Sequence, residues 1–152
     1  MNVMMVVAHP DEGEIYTGGV ACLLSSLGHR VKFLSLTNGD AGHYEMAPEA
    51  LAKIRRGEAM EAKEILGLAD YEILDYHDQY LEDTAQIRAE VAERVRAWVA
   101  DLVFSYYPIE GGHVDNMRRA HRARGGSPVR HVADAGVSVH PRLLHRGLQP
   151  HP

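Results

Sequence analysis

Four short apolar runs, separated by segments of helical length, confine this chain to one kind of architecture. The first run, Val3-Met4-Met5-Val6-Val7-Ala8, is continuous rather than alternating, as expected of a strand buried on both faces, and His9-Pro10 ends it. Thr17 to Leu27 predicts a helix with Val20, Leu23, Leu24 and Leu27 on its inward face and Gly28 as its stop. Arg30 to Leu36 reads as a second strand, and Pro48 opens a helix that runs to about Leu66, where Gly67 ends it. Tyr71 to Leu74 is a third strand. Asp83 or Thr84 caps a helix in which Ile87, Val91, Val95 and Trp98 recur every three or four residues. Leu102 to Tyr106 makes the fourth strand. Alternation of this kind predicts a Rossmann-like α/β domain, a parallel sheet flanked by helices.

Ligands of such sheets bind in the crevice at the carboxyl ends of the strands. Four polar loops fall at that edge: His9-Pro10-Asp11-Glu12, Thr37-Asn38-Gly39-Asp40, Asp75-Tyr76-His77-Asp78 and His113-Val114-Asp115. The first is the richest in chemistry. Imidazole and carboxylate are the usual ligands of a catalytic zinc, and His9 and Glu12 are spaced to turn toward one point. Asp11, between them, would then stand as a general base. A plainer alternative makes Asp11 and Glu12 caps of the following helix, favoured by its positive end.

These residues carry a family resemblance. Ala8-His9-Pro10-Asp11-Glu12, followed by Gly18-Gly19, resembles the A-H-P-D-D-E motif of the PIG-L/LmbE-like N-acetylglucosamine deacetylases. The loop Thr37-Asn38-Gly39-Asp40-Ala41-Gly42 is similar to the family's T-x-G-x-A-G. Arg55 and Glu58 match an R-x-x-E pair, and Leu74-Asp75-Tyr76-His77-Asp78 resembles L-D-x-x-D-G. The resemblance covers about residues 1–117. It implies a zinc-dependent hydrolase that removes the acetyl group from an N-acetylglucosaminyl compound, a small acetamido-sugar conjugate. His9 and Glu12 are then zinc ligands, Asp11 the general base, and Arg55 and Asp78 substrate-binding residues. The family's H-P-D-H motif corresponds to His113-Val114-Asp115-Asn116. His113 keeps the position that stabilises the oxyanion or protonates the leaving amine. Asn116 stands where the third zinc ligand belongs, and a neutral amide oxygen is a poor zinc donor. The rival reading is a catalytically impaired remnant that binds a sugar or nucleotide.

Composition sets further bounds. Hydrophobic content of 45% and charged content of 24% are those of a soluble globular chain, and the first apolar run is too short for a membrane span or signal segment. A cytoplasmic location is expected, with homo-oligomerisation open. The single Cys22 excludes an internal disulfide and predicts a buried structural thiol in the first helix. The net charge of −5 divides unevenly: residues 1–117 hold 9 Lys/Arg against 20 Asp/Glu, while residues 118–152 hold 7 Arg, no Lys and one acid, Asp134. This basic Arg/His/Pro-rich tail shows only Val137-Ser138-Val139 as a hint of a strand, and the sheet is expected to be truncated at its C-terminal side. The basic arm lacks the interleaved aromatics of a nucleic-acid binder. The tail is read as disordered, or as a frame disrupted near residues 117–119. Translating the two other frames downstream of codon 117 decides between these.

Overall fold

The computed structural model describes residues 1–106 and the backbone of residues 130–132 and 137–139. The elements are β1 (Asn2–Val7), α1 (Glu12–Ser26), β2 (Arg30–Thr37), α2 (Pro48–Leu66), β3 (Asp70–Tyr76), α3 (Ala85–Ala97), β4 (Leu102–Phe104), β5 (Arg130–Val132) and β6 (Val137–Val139). The sheet order is β3-β2-β1-β4-β6-β5. The first four strands in that order are mutually parallel, as the alternation of the sequence requires. β6 then pairs antiparallel with β4, and β5 antiparallel with β6, so the sheet is mixed rather than wholly parallel. Val137-Ser138-Val139 is β6. The rest of the basic tail, with the expectations attached to it, lies outside the described residues.

β1 is central, and successive side chains along it divide the core in two because a strand alternates faces. Val3 and Met5 pack with Ala21, Phe33, Ala59 and Tyr71 beneath α1 and α2. Met4 and Val6 pack with Leu34, Leu36, Leu81 and Ile87 beneath α3. Thr84 caps α3 as expected, its hydroxyl accepting from the Ile87 amide at 3.2 Å. Gly67 ends α2 at φ 66°, a left-handed turn that glycine adopts without strain.

The first helix departs from the sequence reading. It begins at Glu12, not Thr17, and its buried residues are Glu12, Gly13, Gly18 and Ala21. Val20, Leu23 and Leu27, expected to face inward, are 46%, 59% and 63% exposed, and Cys22 is exposed rather than buried. Small residues, not large ones, set the helix's rotation, because they let its backbone approach β2 closely. A Cβ placed on Gly13 would lie 2.5 Å from Cδ2 of the fully buried Phe33. Gly13→Ala should therefore lower stability by about 1–3 kcal/mol through overpacking. Urea unfolding measures this directly, and a variant as stable as wild type would contradict the packing account.

Candidate active site

Three of the four polar loops lie within the described residues, and all three sit at the carboxyl edge of β1, β2 and β3. Glu12 organises the first. Its Oε2 accepts hydrogen bonds from the Ala8 and His9 amides, both at 2.9 Å. Its Oε1 lies 3.0 Å from Nδ1 of His9. The carboxylate thus closes the turn that the missing proline amide leaves open, and it holds the imidazole at the same time. On the far side of the ring, His9 Nε2 is 2.8 Å from Asp78 Oδ1. Each ring nitrogen of His9 therefore faces its own carboxylate.

Asp78 is itself held from below. The Asp40 side chain accepts from the Asp78 amide through Oδ1 at 2.9 Å, and its Oδ2 pairs with His77 Nδ1 at 2.5 Å. Asp40, Asp78 and Glu12 are all buried. Gly39 permits this approach of loops: it has φ 72°, and a Cβ there would meet Pro10 Cγ at 2.9 Å. Pairing between β2 and β3 shifts register between Ser35 and Thr37, just before the two loops converge.

Asp11 takes a different position. It precedes α1 at φ 126°, ψ −25°, outside the ordinary range of an L-residue, and its side chain makes no capping hydrogen bond. The helix-cap alternative thus has no hydrogen bond to support it at Asp11. Strain of this kind costs about 1–3 kcal/mol and persists where the surrounding structure imposes it. The Asp11 carboxylate is half exposed, with Arg55 Nη1 3.9 Å from its Oδ2, and Arg55 also pairs with Glu58 at 3.0 Å. Burial of its surroundings raises the Asp11 pKa above the usual carboxylate value, and the Arg55 charge opposes that rise. For His9, burial alone would lower the pKa, but contacts with Asp78 and Glu12 outweigh it and push it up to about 10.

The donor set suits a divalent cation in part. Two ligands of one tetrahedral zinc, bonded at about 2.0–2.1 Å, lie about 3.3 Å apart. His9 Nδ1 and Glu12 Oε1, at 3.0 Å, are close to that separation. Among the described residues no group of three His, Cys, Asp or Glu side chains could hold a metal ion. His113 and Asn116, the remaining sequence candidates, lie outside the described residues. Of the other candidates, the fold gathers His9, Asp11, Glu12, Arg55 and Asp78 at one edge, with Asp78 against His9. Sequence reasoning did not single out Asp40 as a site residue. Its only signal was membership of a polar loop at a strand end.

Comparison with known proteins identifies the family. The PIG-L family, described as GlcNAc-PI de-N-acetylase, matches residues 4–124. This chain belongs to the PIG-L family. Diacetylchitobiose deacetylase of Thermococcus kodakarensis is 32% identical over 99% of this chain and 56% of its own length. The 1D-myo-inositol 2-acetamido-2-deoxy-alpha-D-glucopyranoside deacetylase of Kineococcus radiotolerans is 31% identical over 77% of this chain and 42% of its own. Among solved structures, N,N'-diacetylchitobiose deacetylase from Pyrococcus horikoshii, complexed with its inhibitor MPG, superposes with a TM-score of 0.73 at 30% identity. That match covers 80% of this chain and 47% of that one. The chain spans about half the length of the relatives it matches. PIG-L membership and the parallel helix-flanked sheet agree with the reading of the sequence.

Proposed function

We propose that this chain is a zinc-dependent N-deacetylase that hydrolyses the acetamide of an N-acetylglucosaminyl compound to a free amine and acetate. The observation that carries this reading is the His9–Glu12 pair beside the strained, half-exposed Asp11. Family relatives named as deacetylases of acetamido sugars support it. His9 and Glu12 would hold the metal, with the third position supplied near Asn116. When bound, the metal supplies Lewis acidity, polarising the acetamide carbonyl and acidifying water. Asp11 accepts the proton of the attacking water through its exposed carboxylate. Arg55 favours the ionised form of Asp11 and offers a donor to a substrate hydroxyl. His113 delivers a proton to the departing nitrogen. Among the described residues no helix is long and apolar enough to cross a membrane.

Metal analysis of the purified protein, followed by acetate release from diacetylchitobiose, tests this reading. Stoichiometric zinc and acetate release are expected. Failure to take up metal at micromolar zinc would instead favour the impaired sugar-binding remnant, the reading that Asn116 supports. Asn116→His should tighten zinc binding by at least about 10-fold, since imidazole replaces a neutral amide oxygen. An unchanged zinc affinity in that variant would show that position 116 does not contribute to the site.

A further inference from the structure

The loop between β2 and α2 carries two exposed rings that the proposed chemistry leaves without a task. Tyr44 is 91% exposed, the most exposed of the large hydrophobic side chains among the described residues. His43 stacks on it, with ring centroids 5.4 Å apart and planes 3° from parallel. We propose that Tyr44, braced by His43, is a stacking platform for the pyranose ring attached to the acetamido sugar that is deacetylated. This specificity subsite rests on the deacetylase reading above.

The loop packs against the groups assigned to catalysis. A Cβ on Gly39 would lie 2.9 Å from Pro10 Cγ and 3.3 Å from Arg55 Cγ, and one on Gly42 would lie 3.8 Å from Arg55 Nη2. Arg55 Nη1 is in turn 3.9 Å from Asp11 Oδ2. Consecutive Cα atoms are about 3.8 Å apart, so Tyr44 Cα stands within about 7.6 Å of Gly42 Cα. Tyr44 is thus tethered at the rim of the crevice, close enough to the base for the neighbouring sugar of the same substrate to reach it.

The platform is also held before a ligand arrives, which matters because ordering a loose loop costs affinity. The Asp40 amide donates to Asn38 Oδ1 at 3.2 Å, and Gln79 Nε2 donates to the Ala41 carbonyl at 3.4 Å. The Glu45 amide donates to His43 Nδ1 at 3.1 Å, which fixes the imidazole against which Tyr44 stacks. Pro48 then starts α2 and anchors the far end of the loop.

Ring chemistry and charge select a sugar as the occupant. A tyrosine face is apolar and carries negative charge density, and its few torsions cost little entropy to fix. A pyranose offers such a face its C–H groups, which are apolar and slightly positive. Glu45 adjoins Tyr44, Glu49 lies in the first turn of α2, and residues 1–117 hold 20 Asp/Glu against 9 Lys/Arg. Arg55 and Arg56 on α2 are already paired with Glu58 and Asp75. A nucleotide or an acidic aglycone would meet repulsion on this ground, whereas a neutral sugar would not. The ammonium of an amino sugar would even gain attraction from the ring.

The test compares kcat/KM for diacetylchitobiose with kcat/KM for N-acetylglucosamine, which lacks the second ring. Tyr44→Ala should lower the preference for the disaccharide about 3- to 10-fold, the size of an aromatic stacking contact, with the loss falling in KM rather than kcat. Tyr44→Phe keeps the stacking face and should restore the preference. A preference that does not change in Tyr44→Ala, or an equal loss on both substrates, would overturn the inference.

A second readout needs no catalysis. In saturation-transfer NMR of the full chain with chitobiose and no added zinc, aromatic saturation should reach the pyranose C–H protons in wild type and Tyr44→Phe, and fall in Tyr44→Ala. No transfer in wild type, or transfer undiminished in Tyr44→Ala, would also overturn it. A protein that releases no acetate but shows the expected pattern would refute the deacetylase reading and leave the sugar platform standing.

Discussion

Asp11→Asn is expected to lower kcat for acetate release by about 10²- to 10⁴-fold, the usual contribution of a positioned general base. Zinc content should not change, because the Asp11 carboxylate is separate from the His9–Glu12 pair. The fold should survive as well. Asn is among the residues that best tolerate positive φ, and Asp11 sits at φ 126°. A variant that loses zinc along with activity would show that Asp11 is a ligand rather than a base. The pH profile adds an independent check. Activity requires ionised Asp11, whose pKa is raised by burial and held back by Arg55. The acid limb of kcat against pH should therefore lie above that of an ordinary carboxylate. Arg55→Ala removes the opposing charge and should move that limb higher still. A limb that stays in place would dissociate Arg55 from the base.

Glu12→Ala is expected to cost about 3–5 kcal/mol of stability, the range for removing one partner of a buried charge pair. The buried amide of Ala8 and the part-buried amide of His9 lose their acceptor, and the His9 ring loses its Nδ1 partner. A domain has only about 5–15 kcal/mol in all, so the variant should unfold at markedly lower urea and bind no zinc. Glu12→Gln keeps an oxygen for the amides and should recover most of the stability without the zinc. Equal stability of Glu12→Ala and wild type would remove Glu12 from its structural role in the turn.

Much of the architecture was legible because it depends on local signals. The continuous apolar run of β1, the Gly67 stop and the Thr84 cap each act over a few residues, and each is found where it was read. Helix α1 was misread for an equally physical reason. Leu23 and Leu27 have helical spacing, and periodicity alone places them inside. Rotation of the helix is set by small residues: Gly13 and Ala21 face the strands, Gly13 against Phe33 of β2, and Gly18 faces Leu66 of α2. No periodicity analysis weighs those contacts.

The same division runs through the site. The sequence by itself identified the loop His9-Pro10-Asp11-Glu12 and the edge where it would stand, because strand order and motif chemistry are both written locally. Tertiary structure decided which groups meet. Asp78 is 69 residues from His9 along the chain, and only the parallel stacking of β1, β2 and β3 brings its carboxylate to Nε2. Asp40 acquires its part in the network in the same way, through hydrogen bonds from the next loop rather than through any motif. Residue types near a strand end tell which chemistry is available. Which carboxylate faces which nitrogen depends on loop heights and side-chain directions, and those are set by contacts between segments far apart in the chain.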